Sequence, residues 1–202
     1  MSENRKPQRA FIVILSAAAA VAACSKRPAE AIAAGEEAQS AAVSAGAEEY
    51  APDAMNVVAQ AKSALDAELT VQDGHSALRR SYKEAEQLAA AYKKAADDAA
   101  AAATVAKAQA KEDANTLIAE TRSALDEAVA LLAVAPVGKG SRADVAAMRT
   151  DLETARAGLT DADASLNADR YLEAKSKAAA AREIIDRVKA SVAQAETMRR
   201  SS

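Results

Sequence analysis

The sequence predicts an all-α protein, an elongated antiparallel helical bundle or coiled coil of about five helices, with a long central helix shared by two three-helix units. Three observations predict it. Among 202 residues there are 60 alanines but only six glycines and four prolines, so the residues that turns consume are scarce. Charged residues make up 27% of the chain and aromatic residues 2%, and heavy use of Ala, Glu, Lys, Arg and Leu marks long helices. Finally, apolar residues recur at steps of three and four along most of the chain, the period of a helix face.

The N-terminus reads as an address. Arg5, Lys6 and Arg9 against Glu3 form a positive n-region, followed by an apolar run from Ala10 to Ala23 that includes Phe11-Ile12-Val13-Ile14-Leu15. That run spans roughly 21 Å as a helix, short of the ~30 Å hydrocarbon core, so it reads as a cleaved secretory signal and not as a membrane span. Val21-Ala22-Ala23-Cys24 resembles the lipobox of bacterial lipoproteins: an aliphatic residue, two small ones and a cysteine. The resemblance implies cleavage by signal peptidase II before Cys24, a diacylglycerol on its thiol and an acylated amine. Several acyl chains at about 0.8 kcal/mol per buried methylene hold firmly where one short chain is marginal. Cys24 is the only cysteine in the chain and directly follows the apolar run, which also excludes an internal disulfide framework. Ser25 is other than Asp, which by the same resemblance implies an outer-membrane, lipid-anchored location on the periplasmic face. Removal of residues 1–23 leaves 23 Lys+Arg against 28 Asp+Glu, a net charge of −5. That balance argues against nucleic acid and against an electrostatic grip on anionic lipid headgroups.

Residues 24–27 then form a lipidated N-terminus and short linker. Pro28, tolerated in a first helical turn, opens a first helix over about 28–49. Tyr50-Ala51-Pro52-Asp53 stops and restarts the chain, and a second helix runs over 52–72 with Val58, Ala61, Leu65 and Leu69 on one face, ending where Gly74 can take a left-handed cap. Residues 76–134 lack Gly and Pro and place Tyr82, Ala89, Ala96, Ala103, Ala110, Leu117, Ala124 and Leu131 at every seventh position. The companion series Ala85, Tyr92, Ala99 and Ala106 drifts one place to Ala114, Thr121 and Ala128, as expected when a helix relaxes from 3.5 towards 3.6 residues per turn. This third helix closes a first unit at 28–134, and a Pro/Gly-rich loop covers 135–140. A second unit, 141–199, holds a helix at 141–166 opened by a Ser141/Asp144 capping box. Another helix at 169–199 has Asp169 as N-cap. Their faces are Val145, Met148, Leu152, Ala155, Leu159, Ala162 and Leu166, and Tyr171, Ala174, Ala178, Ala181, Ile185, Val188, Val192 and Ala195. Ala95 to Ala110, with nothing larger than Val105, is expected to be the weakest-packed stretch.

A weak internal repeat supports the two-unit layout. Arg80-Ser81-Tyr82-Lys83-Glu84-Ala85 resembles Asp169-Arg170-Tyr171-Leu172-Glu173-Ala174, placing Tyr82 and Tyr171 near the start of each unit's closing helix, as core residues with hydroxyls reaching water. Together the lipobox, the Ala-rich helix, the Tyr-Ala-Pro break at 50–52, the leucine-bearing second helix and the Tyr-x-x-Ala helix resemble a family of bacterial outer-membrane lipoproteins built on alanine-rich helical domain of unknown function 4398. The likeness covers residues 28 to about 100 and partly recurs over 141–195. Asp73-Gly74-His75-Ser76 departs from the family's shorter turn. The family implies an envelope location and an all-helical fold, with no activity attached.

Chemistry-bearing constellations are scarce. His75 is the only histidine, and a metal or catalytic role needs partners at fixed geometry. The acidic pairs Glu48-Glu49, Asp97-Asp98 and Glu112-Asp113 fall on helices, where neighbours diverge by about 100° and read as solvated faces. Gly138-Lys139-Gly140-Ser141 lacks the upstream glycine and the strand of a phosphate loop. No catalytic residue, metal or cofactor is expected, and the site residues are Cys24 for lipidation with Val21, Ala22 and Ala23 as lipobox. The expected function is a non-enzymatic envelope scaffold, spacer or protein-interaction module. Its partners are the membrane, through the acyl chains, and a protein partner or a second copy through the last two helices. Two alternatives are a non-covalent peptidoglycan tether, since Met198-Arg199-Arg200-Ser201-Ser202 lacks the terminal lysine used for covalent linkage, and a small-ligand or lipid carrier, which would need a cavity between helices.

Overall fold

The computed structural model describes residues 26–135 and 142–200. Those residues form a helical bundle of six helices: α1 (Ala29–Ser44), α2 (Ala47–Tyr50), α3 (Pro52–Gly74), α4 (Lys83–Val134), α5 (Arg142–Asn167) and α6 (Tyr171–Arg200). The chain divides into two compact units, Met1–Ala106 and Lys107–Ser202. The division falls inside α4, within the alanine stretch and beside Val105, which is 71% exposed. It does not fall at the 135–140 loop, although α4 itself stays helical throughout that stretch.

In the first unit α1 begins where expected, with Pro28 at the N-cap and its carbonyl accepting the first helical bond from Ile32. The single helix expected over 28–49 is instead broken. Gly46 adopts φ 85°, a left-handed conformation that only glycine takes without strain, and its N–H bonds back to the Val43 carbonyl. The short α2 follows, and Pro52 then sits in the first turn of α3. Gly74 is not the left-handed cap that its type invited. It lies inside α3, and His75 leaves the helix in an extended conformation, φ −81° and ψ 150°. Nor does α4 start at 76: it starts at Lys83, after a turn over 76–82.

The core of this unit is thin. Val58, Leu65 and Leu69 from α3 meet Ala38 and Ala42 from α1 and a small-residue seam on α4 formed by Ala85, Ala89, Ala96, Ala99 and Ala103. Tyr92 is its largest fully buried side chain. Alanine seams bring helix axes towards the short end of the ~8–10 Å range, and the ring of Tyr92 fits because α1 carries Gly35 opposite it. A Cβ on Gly35 would lie 2.6 Å from Tyr92 Cε1. The Tyr92 hydroxyl donates to Gln39, and Lys62 lies 5.7 Å from the ring centroid.

The second unit packs the C-terminal part of α4 against α5 and α6. Ile118, Leu125, Leu132, Leu152, Leu159, Ile185, Val188 and Val192 fill it, a conventional aliphatic core. Here the every-seventh series on α4 slips: Leu117 is only partly buried and Leu131 is 39% exposed, while Ile118, Leu125 and Leu132 take their places. Ala110 and Ala124 of that series stay buried, and the companion series is buried at Ala114, Thr121 and Ala128 as its drift predicts, because an undistorted helix advances 3.6 residues per turn. Lys175–Asp113 and Lys189–Glu127 are ion pairs at 2.7 and 2.8 Å, each spanning 62 residues, so α4 and α6 run parallel in one register. Arg122 pairs with Asp163 on the antiparallel α5.

The α5–α6 turn corrects another expectation. Asp169 is not an N-cap; it stands at φ 58° as the left-handed residue ending α5. Its N–H bonds to the Leu166 carbonyl and that of Arg170 to the Ser165 carbonyl, the reciprocal pattern of a Schellman ending. The Asp169 carboxylate instead accepts from the Tyr171 hydroxyl. Pro136, Gly138, Lys139, Gly140 and the Ser141 half of the capping box lie outside the described residues.

Candidate functional site

Cys24 and the lipobox residues Val21, Ala22 and Ala23 lie outside the described residues, which begin two positions beyond the cysteine. What the structure does place is the end of the first unit to which that segment connects. Arg27 Nη1 reaches Asp73 Oδ2 at 2.9 Å, so the linker is tied to the C-terminal end of α3 at its last residues.

Around Asp73 the 75–82 turn is built from side chains rather than from a glycine conformation. Helix ends leave carbonyls without intrahelical partners. Arg80 supplies them with donors: its Nε reaches the Gln72 carbonyl at 3.1 Å, and one Nη reaches the carbonyls of Asp73 and His75 at 3.1 and 3.0 Å. A guanidinium at a helix C-terminus is also favoured by the dipole. Gln72 Oε1 accepts the Ser81 N–H at 2.9 Å. The Tyr82 hydroxyl donates to Asp73 Oδ1, a bond that raises the Tyr82 pKa above its ordinary value, with burial adding to it. Because Arg80 closes the helix, Gly74 has no need of a left-handed conformation. The turn itself is set by the Arg79 and Arg80 N–H groups on the Ser76 carbonyl. At its apex Leu78 is 99% exposed.

The second tyrosine of the repeat has an analogous place. Tyr171 is 5% exposed, as is Tyr82, and each hydroxyl donates to an aspartate. Lys107 and Lys111 lie 6.0 and 5.7 Å from the Tyr171 ring centroid, within cation–π range. Beside them Lys175 and then Gln109 donate to Asp113 and hold its pKa below the ordinary carboxylate value. Lys177 does the same for Glu173 while also reaching Ser165 Oγ at 2.9 Å. Each charge in this cluster has an intramolecular partner, as expected of a joint between helices.

His75 is exposed on the turn, and among the described residues no group of three His, Cys, Asp or Glu side chains is placed to hold a metal ion. No described helix is long and apolar enough to cross a membrane. Two apolar recesses in the second unit, of about 250 and 200 Å³, are lined by Val129, Leu132 and Leu152 and by Leu132, Val145, Met148 and Val192 among others. Both fall below the ~300–1,000 Å³ of ordinary ligand pockets. No family model, curated protein or solved structure matches this chain.

Sequence reasoning missed the Arg80 clasp and the exposed Leu78. The repeat contained the signal, since a helix starting at Tyr171 implies one starting beside Tyr82.

Proposed function

We propose that this chain is a lipid-anchored envelope protein, held at the periplasmic face of the outer membrane by acyl chains on Cys24. Its helical units serve there as a non-catalytic spacer, scaffold or protein-interaction module. The observation that carries the reading is the position of the only cysteine, at the end of Val21-Ala22-Ala23-Cys24 and directly after a fourteen-residue apolar run. Small residues at 22 and 23 admit a protease to the backbone, and the thiol is the one side chain there that is readily alkylated. The ion pair between Arg27 and Asp73 supports it further, since a folded unit that begins at the linker is suited to standing directly on its anchor.

Metabolic labelling with radioactive palmitate tests this. The wild-type chain is expected to incorporate label and to fractionate with membranes. Cys24→Ser is expected to lose the label and to accumulate at the size of the uncleaved precursor. Label that persists in Cys24→Ser sinks the reading.

A further inference from the structure

We propose that the turn between α3 and α4 is the membrane-contacting tip of the first unit, with Leu78 entering the interfacial layer of an anionic bilayer and the neighbouring cations meeting headgroup phosphates. The inference rests on the lipid-anchor reading and adds to it which surface of the folded chain faces the bilayer.

Reach comes first. Three residue steps separate Cys24 from Arg27, at most about 11 Å of chain, and Arg27 is paired with Asp73 at 2.9 Å. Adding the two side chains, Asp73 lies within roughly 25 Å of the anchored residue however the linker runs. The anchor therefore keeps this end of the unit within reach of the membrane.

Composition of the tip comes second. Leu78 is the most exposed large apolar residue among the described ones, at 99%, and a leucine left fully in water has no packing role in the fold. Its backbone is held by the bonds to the Ser76 carbonyl and by the Arg80 clasp, so the exposure belongs to an ordered turn. Over residues 26–28 and 73–83 the chain carries Lys26, Arg27, Arg79, Arg80 and Lys83 against Asp73 alone. Arg27 and Arg80 are engaged within the protein, whereas Lys26, Arg79 and Lys83 are exposed and have no carboxylate partner among the described residues. Glu30, Glu84 and Glu86 are the next acids along, in the first turns of α1 and α4. The net negative charge of the chain does not oppose this contact, since charges beyond about 8–10 Å are screened at physiological salt. An apolar side chain flanked by exposed cations is the composition that favours interfacial insertion.

The anchor itself supplies a clean test. In the acylated chain the sulfur of Cys24 is a thioether, so Leu78→Cys introduces the only free thiol and can be labelled with an environment-sensitive fluorophore. Val57→Cys, at a 55% exposed position on α3, serves as the control. The full mature lipoproteins are reconstituted into vesicles of phosphatidylethanolamine and phosphatidylglycerol. The probe at 78 is expected to shift to the blue and to be quenched by nitroxide-labelled lipid, and the probe at 57 to do neither. Arg79→Glu with Lys83→Glu is expected to reduce the shift at 78. An aqueous spectrum at 78, with the wild-type chain refusing thiol label, overturns the tip and leaves the anchor standing. Thiol label on the wild-type chain overturns the anchor and this proposal with it. A shift at 78 unaffected by the charge reversals overturns the part assigned to the cations.

Discussion

Gly35 shows how a single residue sets the packing of the first unit. Glycine inside a helix costs about 1 kcal/mol relative to alanine, yet alanine, the commonest residue of this chain, is absent at 35. The ring of Tyr92 occupies the place of the missing Cβ. Gly35→Ala is therefore expected to destabilise the protein by about 1–3 kcal/mol despite its better helix propensity. In a Tyr92→Leu background the same change is expected to become neutral or stabilising; urea midpoints for the four chains of the cycle check the reversal. Thr121 is the opposite case. Its hydroxyl is fully buried on α4 without a hydrogen-bond partner, so Thr121→Val removes an uncompensated polar group and is expected to stabilise by about 1 kcal/mol, read as a rise in the melting temperature.

At the scale of elements, α4 distinguishes a strict seven-residue repeat from an undistorted helix. Leu125→Ala and Ile118→Ala are expected to leave cavities and to cost about 2–5 kcal/mol each. Leu131→Ala, at a 39% exposed position, should cost well under half as much, and equal losses at 125 and 131 would restore the heptad. The helical faces were legible because periodicity is dictated by which side chains must leave water: Val58, Leu65 and Leu69, and the stripes of α5 and α6, are buried or partly buried as their spacing implies. Helix ends were less so. Gly46, Gly74 and Asp169 are all residues that favour caps, and local chemistry does not say which adopts the left-handed conformation. Arg80, reaching back over eight residues to Gln72, made that conformation unnecessary at 74. The start of α4 was missed because 76–82 contains neither Gly nor Pro, and its turn is held by side-chain donors that no short-range rule encodes. Leu78 was similarly hidden: one leucine in a polar turn has no period, and only its exposure in the folded chain sets it apart.

The whole molecule joins two units of unlike character, one built on alanine and tyrosine and the other on leucine, isoleucine and valine. Their electrostatics differ too. Among the described residues the carboxylates held below their ordinary pKa by lysines, Asp113, Glu127 and Glu173, all belong to the second unit. A depressed carboxylate contributes stability that is present above its unfolded value, near pH 4, and is lost as pH falls through its folded value. Acidification below about pH 4 is thus expected to weaken the second unit selectively. Hydrogen exchange measured along an acid series checks this, with amides of α6 losing protection before those of α3, and Lys175→Met with Lys189→Met flattening the difference.

Two of those carboxylates carry a further consequence. The pairs 113–175 and 127–189 share one offset and stand two heptads apart, like two teeth of a rack engaged with its pinion. Sliding α6 by a single turn along α4 would disengage both teeth in the same stroke, so the two pairs mark one register and are lost together.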